Sequence, residues 1–281
     1  MLQSMVSRAI LALSLGFIAA GTAGAGPLKD RVAAGETIRI GFDNGVPAAF
    51  LGKNGDADGF VNVMTIDVLK KMGYDKIEPV QVEWSGLIPG LQAGRFDIIS
   101  GGMYILASRC ENVEFSDPIY KMGESFLVPK GNPKGLHNYE DLSKSGAIMV
   151  TGTGYNSIQA AKDAGVDESK IMDVPGPTEM LAAVQAGRAD VAASTEMLIS
   201  ELASKSGGAL EATGASKMPK KLFNWGALAF RKEDKDFIND FNAALKQYLG
   251  SEEMMKKVAQ YGYTKEWLPG DENTKWICAN R

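Results

Sequence analysis

Apolar and polar positions alternate over residues 36–42 (ETIRIGF), which predicts a strand at the start of the folded chain. Residues 43–47 (DNGVP) follow as a loop by their turn-forming composition. The period then switches repeatedly between that of a helix and that of a strand. Residues 55–60 read as a short hairpin, and residues 61–72 place Val61, Met64, Ile66, Val68 and Leu69 at helical spacing. Residues 78–83 are the next strand. Leu87, Ile88 and Leu91 carry a helix that breaks at Gly94, and Phe96, Ile98 and Ile99 form a buried strand ending at the flexible pair Gly101-Gly102. A strand at 125–129 leads into the turn-rich GNPKGLHN. The scheme then repeats on a smaller scale: strand 147–150, helix 157–164, helix 180–186, strand 189–193. A return strand at 223–230 and helices at 235–249 and 252–261 complete it.

Such alternation predicts an α/β fold with mostly parallel sheets covered on both faces. Residues 179–193 (EMLAAVQAGRADVAA) also parallel residues 86–100 (GLIPGLQAGRFDIIS), which suggests two similar lobes. Chain crossings around Leu127-Val128-Pro129 and at residue 223 divide the chain into lobe 1 (26–128 and 223–281) and lobe 2 (129–222). Two crossing strands make a hinge, and hinge closure around a ligand is a known binding motion.

The stretch 83–120 concentrates the candidate chemistry. Trp84, the glycine pair 101–102 and Arg109 lie within it, and a guanidinium beside closely approaching backbone N–H groups suits a carboxylate. The plainer alternative is a helix–strand–helix unit with no ligand. The loop holding Asp43 follows the first strand, where open α/β sheets tend to bind ligands. The loop 151–156 opens a helix whose backbone N–H groups can meet an anion, although no Gly-Lys-Ser/Thr completes a phosphate loop; a simple turn before a helix fits equally.

The order of these parts adds a resemblance. W-x-G-L-I-P-x-L-x-x-G-x-x-D (84–97), a strand, Arg109, then F-S-D-P-x-Y (115–120) resembles the periplasmic amino-acid-type solute-binding proteins of ABC importers, family 3, over roughly residues 36–268. The resemblance implies a two-lobed binding protein with its ligand in the interlobe cleft and a membrane permease as partner. It implies that Arg109 clamps a ligand carboxylate, that Trp84 covers the ligand, and that G-T-x-x-x-S (Gly152, Thr153, with Tyr155 inside it) meets the carboxylate from the other side. Gly102 and Tyr104 belong to the same expected site. Amino-acid binders of this family carry an aspartate, the partner of the ligand ammonium, where this chain has Thr195. A buried ammonium without a partner costs several kcal/mol, so Asp43 or Glu196 is left to supply the charge. A cage of aromatics is the other means of holding a cation, with Trp84 and Tyr104 first and Phe42, Phe50, Phe60 or Tyr155 beside them.

Within the family the chain looks closest to ectoine/hydroxyectoine-binding proteins. The matching features are G-F-x-N-x-x-P-x-A-F (41–50), the spacing of Trp84, Tyr104 and Arg109, the Arg-Cys pair 109–110 and the C-terminal cysteine. Gly45 and Ala48 depart from it, standing where an acidic residue and an aromatic are expected. A related zwitterion or a bulkier amino-acid derivative is therefore an equal expectation. The fold also resembles periplasmic cyclohexadienyl dehydratases, for which Glu196 is the candidate general acid here; a solvated loop glutamate is the alternative. A role as ligand-sensing partner of a membrane kinase or chemoreceptor would use the same closed form.

The ends and the composition narrow the class. Arg8, an apolar run over 9–20 and Ala23-Gly24-Ala25 describe a secretory signal peptide cleaved before Gly26. The formal charge of −4 becomes −5 once Arg8 is removed, which argues against nucleic acid as a partner. The expectation is an exported, periplasmic, monomeric protein without a cofactor. Cys110 and Cys278 are the two cysteines of the chain, and in an oxidising compartment an even pair suggests a disulfide, with two free thiols the alternative. His137 is the one histidine, so neither a Ser–His–Asp triad nor a histidine metal site has support.

Overall fold

The computed structural model of the protein describes residues 27–281, so the expected leader lies outside the described residues. Among these residues no helix is long and apolar enough to cross a membrane. The chain forms two α/β lobes. The first sheet runs in the order Ile77–Gln81, Ile38–Phe42, Ile98–Tyr104, Asn224–Phe230, Glu114–Phe115, with Tyr120–Met122 also pairing Asn224–Phe230. The second runs Ile171–Val174, Met149–Gly152, Val191–Thr195, Glu124–Pro129, Leu210–Ala212. In both, three parallel strands are followed by one antiparallel strand. Neighbouring residues Ile98 and Ile99 are fully buried but enter different cores, one on each face of the first sheet. That is the covered, continuous apolar strand expected of a parallel sheet.

The repeated L/V-Q-A-G-R-x-D phrase has a structural cause. Helices Leu87–Gln92 and Pro177–Gln185 both end in a glycine with positive φ, Gly94 at 68° and Gly187 at 67°. The aspartate three residues later then pins the start of the neighbouring first strand. Asp97 accepts from the Arg39 N–H at 2.9 Å, and Asp190 accepts from the Ile148 N–H at 2.9 Å. The repeat therefore builds each lobe and lies outside the lining of the cavity between them. Asp97 is fully buried; burial raises its carboxyl pKa, but hydrogen bonds and charge from Arg31 and Arg39 outweigh this and hold it below the ordinary value. Arg231 approaches the same carboxylate at 3.3 Å.

Two sequence expectations shift. The strand at 98 does not stop at Gly101-Gly102 but continues to Tyr104, with Gly102 at φ 68° and a register irregularity against Asn224–Phe230. The glycines bend a strand and do not end it. The expected first crossing at Leu127-Val128-Pro129 lies earlier, at Gly123, because Glu124–Pro129 already pairs Val191–Thr195 and Leu210–Ala212 of the second sheet. At Gly123 a Cβ would come within 2.8 Å of Ala215 Cβ and 3.0 Å of the Phe223 ring, so the two crossings touch only because position 123 has no side chain. The second crossing falls at Phe223, just before Asn224–Phe230.

Cys110 and Cys278 are joined in a disulfide that spans 168 residues of chain. It fastens the terminal helix Thr274–Asn280 to the short helix Ala107–Cys110, which bears Arg109, and the Ala107 N–H donates to the Arg281 carbonyl at 2.7 Å. The bond restricts the unfolded chain as well as seating Arg109. The double variant Cys110→Ser/Cys278→Ser should therefore lose about 2–4 kcal/mol, read as a fall in Tm of roughly 5–15 °C by calorimetry. An unchanged Tm would show that the terminal helix is held by packing alone.

Candidate ligand-binding site

The carboxyl ends of the parallel strands of both lobes face one another, and a cavity of about 70 Å³ lies between them, counted as room for the centres of water-sized spheres. One water needs on the order of 10–15 Å³ by this measure, so the space has room for a molecule of about amino-acid size.

Asp43 follows directly on the Ile38–Phe42 strand and is buried against the cavity. Desolvation, with a smaller contribution from the Glu83 carboxylate, raises its carboxyl from 3.8 to about 7. Gly101, in the adjacent strand, leaves room beside it: a Cβ there would sit 3.5 Å from the Trp84 ring and 3.7 Å from Asp43 Oδ1. Tyr120 fills the space left by two further glycines. A Cβ at Gly226 would fall 2.1 Å from its ring, and its hydroxyl donates to the Gly102 carbonyl at 2.6 Å. Tyr104, at the end of the bent strand, is buried and donates to the Met122 carbonyl at 3.4 Å.

Arg109 closes the same wall. Its guanidinium is buried, which lowers its pKa to about 10 and leaves it charged at neutral pH. Nη1 donates to the Tyr104 carbonyl at 3.0 Å, Nη2 to the Gly154 carbonyl of the other lobe at 3.2 Å, and the group lies 5.5 Å from the Trp84 ring centre. Trp84 Nε1 donates to the same Gly154 carbonyl at 3.2 Å, and its ring meets Tyr155 edge to face at 5.5 Å. One carbonyl of the second lobe thus receives both the arginine and the tryptophan of the first.

The second lobe supplies Tyr155, Asn156, Ser194 and Thr195 to the lining; Thr195 also caps the helix Glu196–Lys205, its hydroxyl accepting from the Leu198 N–H at 3.2 Å. Phe60, Met122, Met197 and Leu198 give the cavity an apolar side.

Of the residues expected from the sequence, Asp43, Trp84, Gly102, Tyr104, Arg109, Tyr155 and Thr195 come together here. Four do not. Phe50 pairs with Asp58 in a two-stranded hairpin outside the lining, and Phe60 reaches the cavity instead. Gly152 is covered by the Tyr155 ring, which a Cβ would meet at 2.6 Å. Thr153 is tied to the neighbouring strand, its N–H donating to the Val174 carbonyl at 2.8 Å and its hydroxyl to Asp173 at 3.3 Å. Glu196 turns to the hinge side, where Oε1 accepts from the Ala215 N–H at 3.1 Å. Phe42 lies wholly in the core. Sequence reading missed Tyr120, Met122, Ser194 and Asn156. Tyr120 stood in the quoted F-S-D-P-x-Y phrase, whereas the others carry no pattern that separates them from ordinary strand and loop positions.

Known proteins share this arrangement. The chain is 34% identical over 285 residues to a probable amino-acid ABC transporter periplasmic-binding protein, y4tE, of Sinorhizobium fredii, covering 98% of this chain and 93% of that one. It superimposes on the crystal structure of EhuB in complex with hydroxyectoine with a TM-score of 0.81, at 28% identity, covering 90% of this chain and 98% of EhuB. The crystal structure of the ancestral amino acid-binding protein AncCDT-1, a precursor of cyclohexadienyl dehydratase, matches with a TM-score of 0.68 at 32% identity, covering 83% of this chain and 95% of that one. The model of the bacterial extracellular solute-binding proteins, family 3, matches residues 38–264. With two lobes, a cavity between them and this match over most of its length, the chain belongs to family 3 of the bacterial extracellular solute-binding proteins.

Proposed function

We propose that the protein is the exported receptor of an ABC importer, and that it hands a small zwitterion to the membrane permease. One observation carries the choice of ligand: a buried guanidinium, Arg109, and a buried carboxyl, Asp43, line one small cavity whose remaining walls are aromatic, apolar or, from the second lobe, neutral and polar. A buried charge needs an opposite charge. Arg109 takes the ligand carboxylate, Asp43 its cationic nitrogen, and the rings of Trp84, Tyr104 and Tyr155 enclose that nitrogen. The apolar side formed by Phe60, Met122, Met197 and Leu198 takes the hydrocarbon part. The hydroxyectoine complex of EhuB supports a compatible solute, and the y4tE relative supports an amino acid.

The likeness to AncCDT-1 makes a dehydratase the second reading. Glu196, its expected acid, donates nothing to the cavity and holds the Ala215 N–H instead. Asp43, with its raised pKa, is the carboxyl such an enzyme would have to use. Calorimetric titration of the mature protein with hydroxyectoine, glycine betaine, the common L-amino acids and prephenate separates the two. Saturable binding without turnover is the receptor result, and conversion of prephenate would overturn it.

Two variants follow from the geometry. Arg109→Ala should weaken binding of any hit by about 2–5 kcal/mol, thirtyfold or more, because a buried carboxylate would be left unpaired. Unchanged affinity would remove Arg109 from the site. Asp43 gives a pH dependence with a definite sign. Its carboxyl sits near 7 in the free cavity, against 3.8 unperturbed, and a cationic ligand needs it ionised. Affinity should therefore rise by up to about tenfold per pH unit below neutrality and level off above about pH 8. Stability runs the other way for the free protein: the raised pKa favours folding below about pH 4, and that contribution is lost as pH rises to about 7. Dissociation constants from pH 5 to 9 test the point; a flat wild-type profile, or an Asp43→Asn profile with the same slope, would exclude Asp43 as the ligand's counter-ion.

A further inference from the structure

Glu124 is a fully buried carboxylate that the site described above does not use. It opens the Glu124–Pro129 strand, one residue after the crossing at Gly123, and stands opposite Thr195 in the register. Three groups donate to it: the Tyr139 hydroxyl to Oε2, and Asn156 Nδ2 and the Ser157 hydroxyl, at 3.3 Å, to Oε1. All three partners are neutral, and no cation is in contact with it among the described residues. The two hydroxyls can donate or accept, whereas the Asn156 amide nitrogen can only donate, so Oε1 stands as the acceptor that holds this amide. Burial pushes the Glu124 carboxyl up from its ordinary value, and an apolar residue would fill the same volume without burying a titratable group.

What distinguishes the cluster is its position behind the cavity. Asn156 lines the cavity, and its amide nitrogen is drawn inward by Glu124. Its carbonyl oxygen has no protein partner among the described residues and is not sealed from the surface. An asparagine whose nitrogen is held inward presents an acceptor outward.

We propose that Asn156 is a specificity-determining residue that accepts a hydrogen bond from an N–H of the ligand, and that Glu124 is its positioning residue, holding the amide in the one orientation that makes this possible. This rests on the receptor reading above and deepens it. The ligand is then a zwitterion whose cationic nitrogen bears hydrogen, as in an amino acid or a cyclic amidine, and a quaternary ammonium is disfavoured because it has no proton to give. Asp43 and Asn156 approach that nitrogen from different lobes, so the bond to Asn156 forms only when the cleft is closed.

The test uses the mature protein and four probes: hydroxyectoine, L-arginine and L-glutamine, which carry N–H on their cationic or amide nitrogens, and glycine betaine, which carries none. Asn156→Leu and Glu124→Leu should each weaken the best N–H probe by about tenfold and leave glycine betaine unchanged. The double variant should be no weaker than Asn156→Leu alone, because Glu124 acts through Asn156. If Glu124→Leu fails to fold, Glu124→Met, which likewise offers no oxygen to the Asn156 amide, takes its place. Equal weakening of both probe classes would reduce Glu124 to a structural role, and full additivity would show that it does not act through Asn156; either overturns the proposal. A second arm needs no ligand. The Asn156 side-chain NH₂ resonances, assigned by their loss in Asn156→Leu, should be protected from solvent exchange in the wild type and lose that protection in the Glu124 variant. Free exchange in the wild type would refute the amide orientation. Failure of every probe to bind the wild type would instead remove the receptor reading, and with it the acceptor role, even if the amide proves to be oriented as described.

Discussion

A guanidinium taken out of water must be given acceptors, and much of this structure is arranged around the two that Arg109 finds. One, the Tyr104 carbonyl, ends the bent strand of its own lobe; the other, the Gly154 carbonyl, belongs to the opposite lobe. The arginine thereby ties the two lobes across the seam. Trp84 donates to the same Gly154 carbonyl, so both side chains are oriented in the cavity by one contact between the lobes.

Three buried carboxyl groups show how environment sets role. Asp97 is surrounded by Arg31, Arg39 and Arg231 and is held ionised; it builds the lobe. Asp43 forms no ion pair among the described residues, and burial raises its carboxyl to about 7. Glu124 is met by neutral donors alone, and burial raises its pKa against the pull of Tyr139, Asn156 and Ser157. Desolvation acts on all three. The partners decide whether the group supports the fold, meets a ligand or orients a neighbour.

The two lobes use one plan twice and differ where they face the ligand. Each ends a helix in a positive-φ glycine, pins its first strand through an aspartate, and adds one antiparallel strand contributed across the hinge. The first lobe contributes Asp43, Arg109 and most of the rings, whereas the second contributes polar acceptors and a helix start. The charged side chains of the cavity thus come from the first lobe and its neutral polar ones from the second.

The sequence by itself determined what depends on short-range pattern. Period and turn residues marked the central strands and most of the longer helices, because burial on one face or two leaves a local record in side-chain order, but not the strands Ile171–Val174 and Leu210–Ala212 or the helices Tyr139–Ser145, Glu196–Lys205 and Thr274–Asn280. The doubled L/V-Q-A-G-R-x-D phrase announced two lobes, because helix termination and strand pinning are solved within a few residues. Arg109, Trp84, Tyr104 and Asp43, which share one cavity, were named together mainly through the order of motifs that carries the family resemblance, and the cysteine pair because only one partner was available. Tertiary structure decided the rest. Which sheet claims Glu124–Pro129 depends on pairing with Val191–Thr195, some 70 residues away, so the crossing at Gly123 could not be read locally. The direction of a loop side chain is likewise set by distant partners: Glu196 is turned aside by Ala215, Thr153 by Val174, and Asn156 is drawn into the site by Glu124. Those hydrogen bonds join residues some 20 to 30 positions apart, and they exist only once the second lobe is folded.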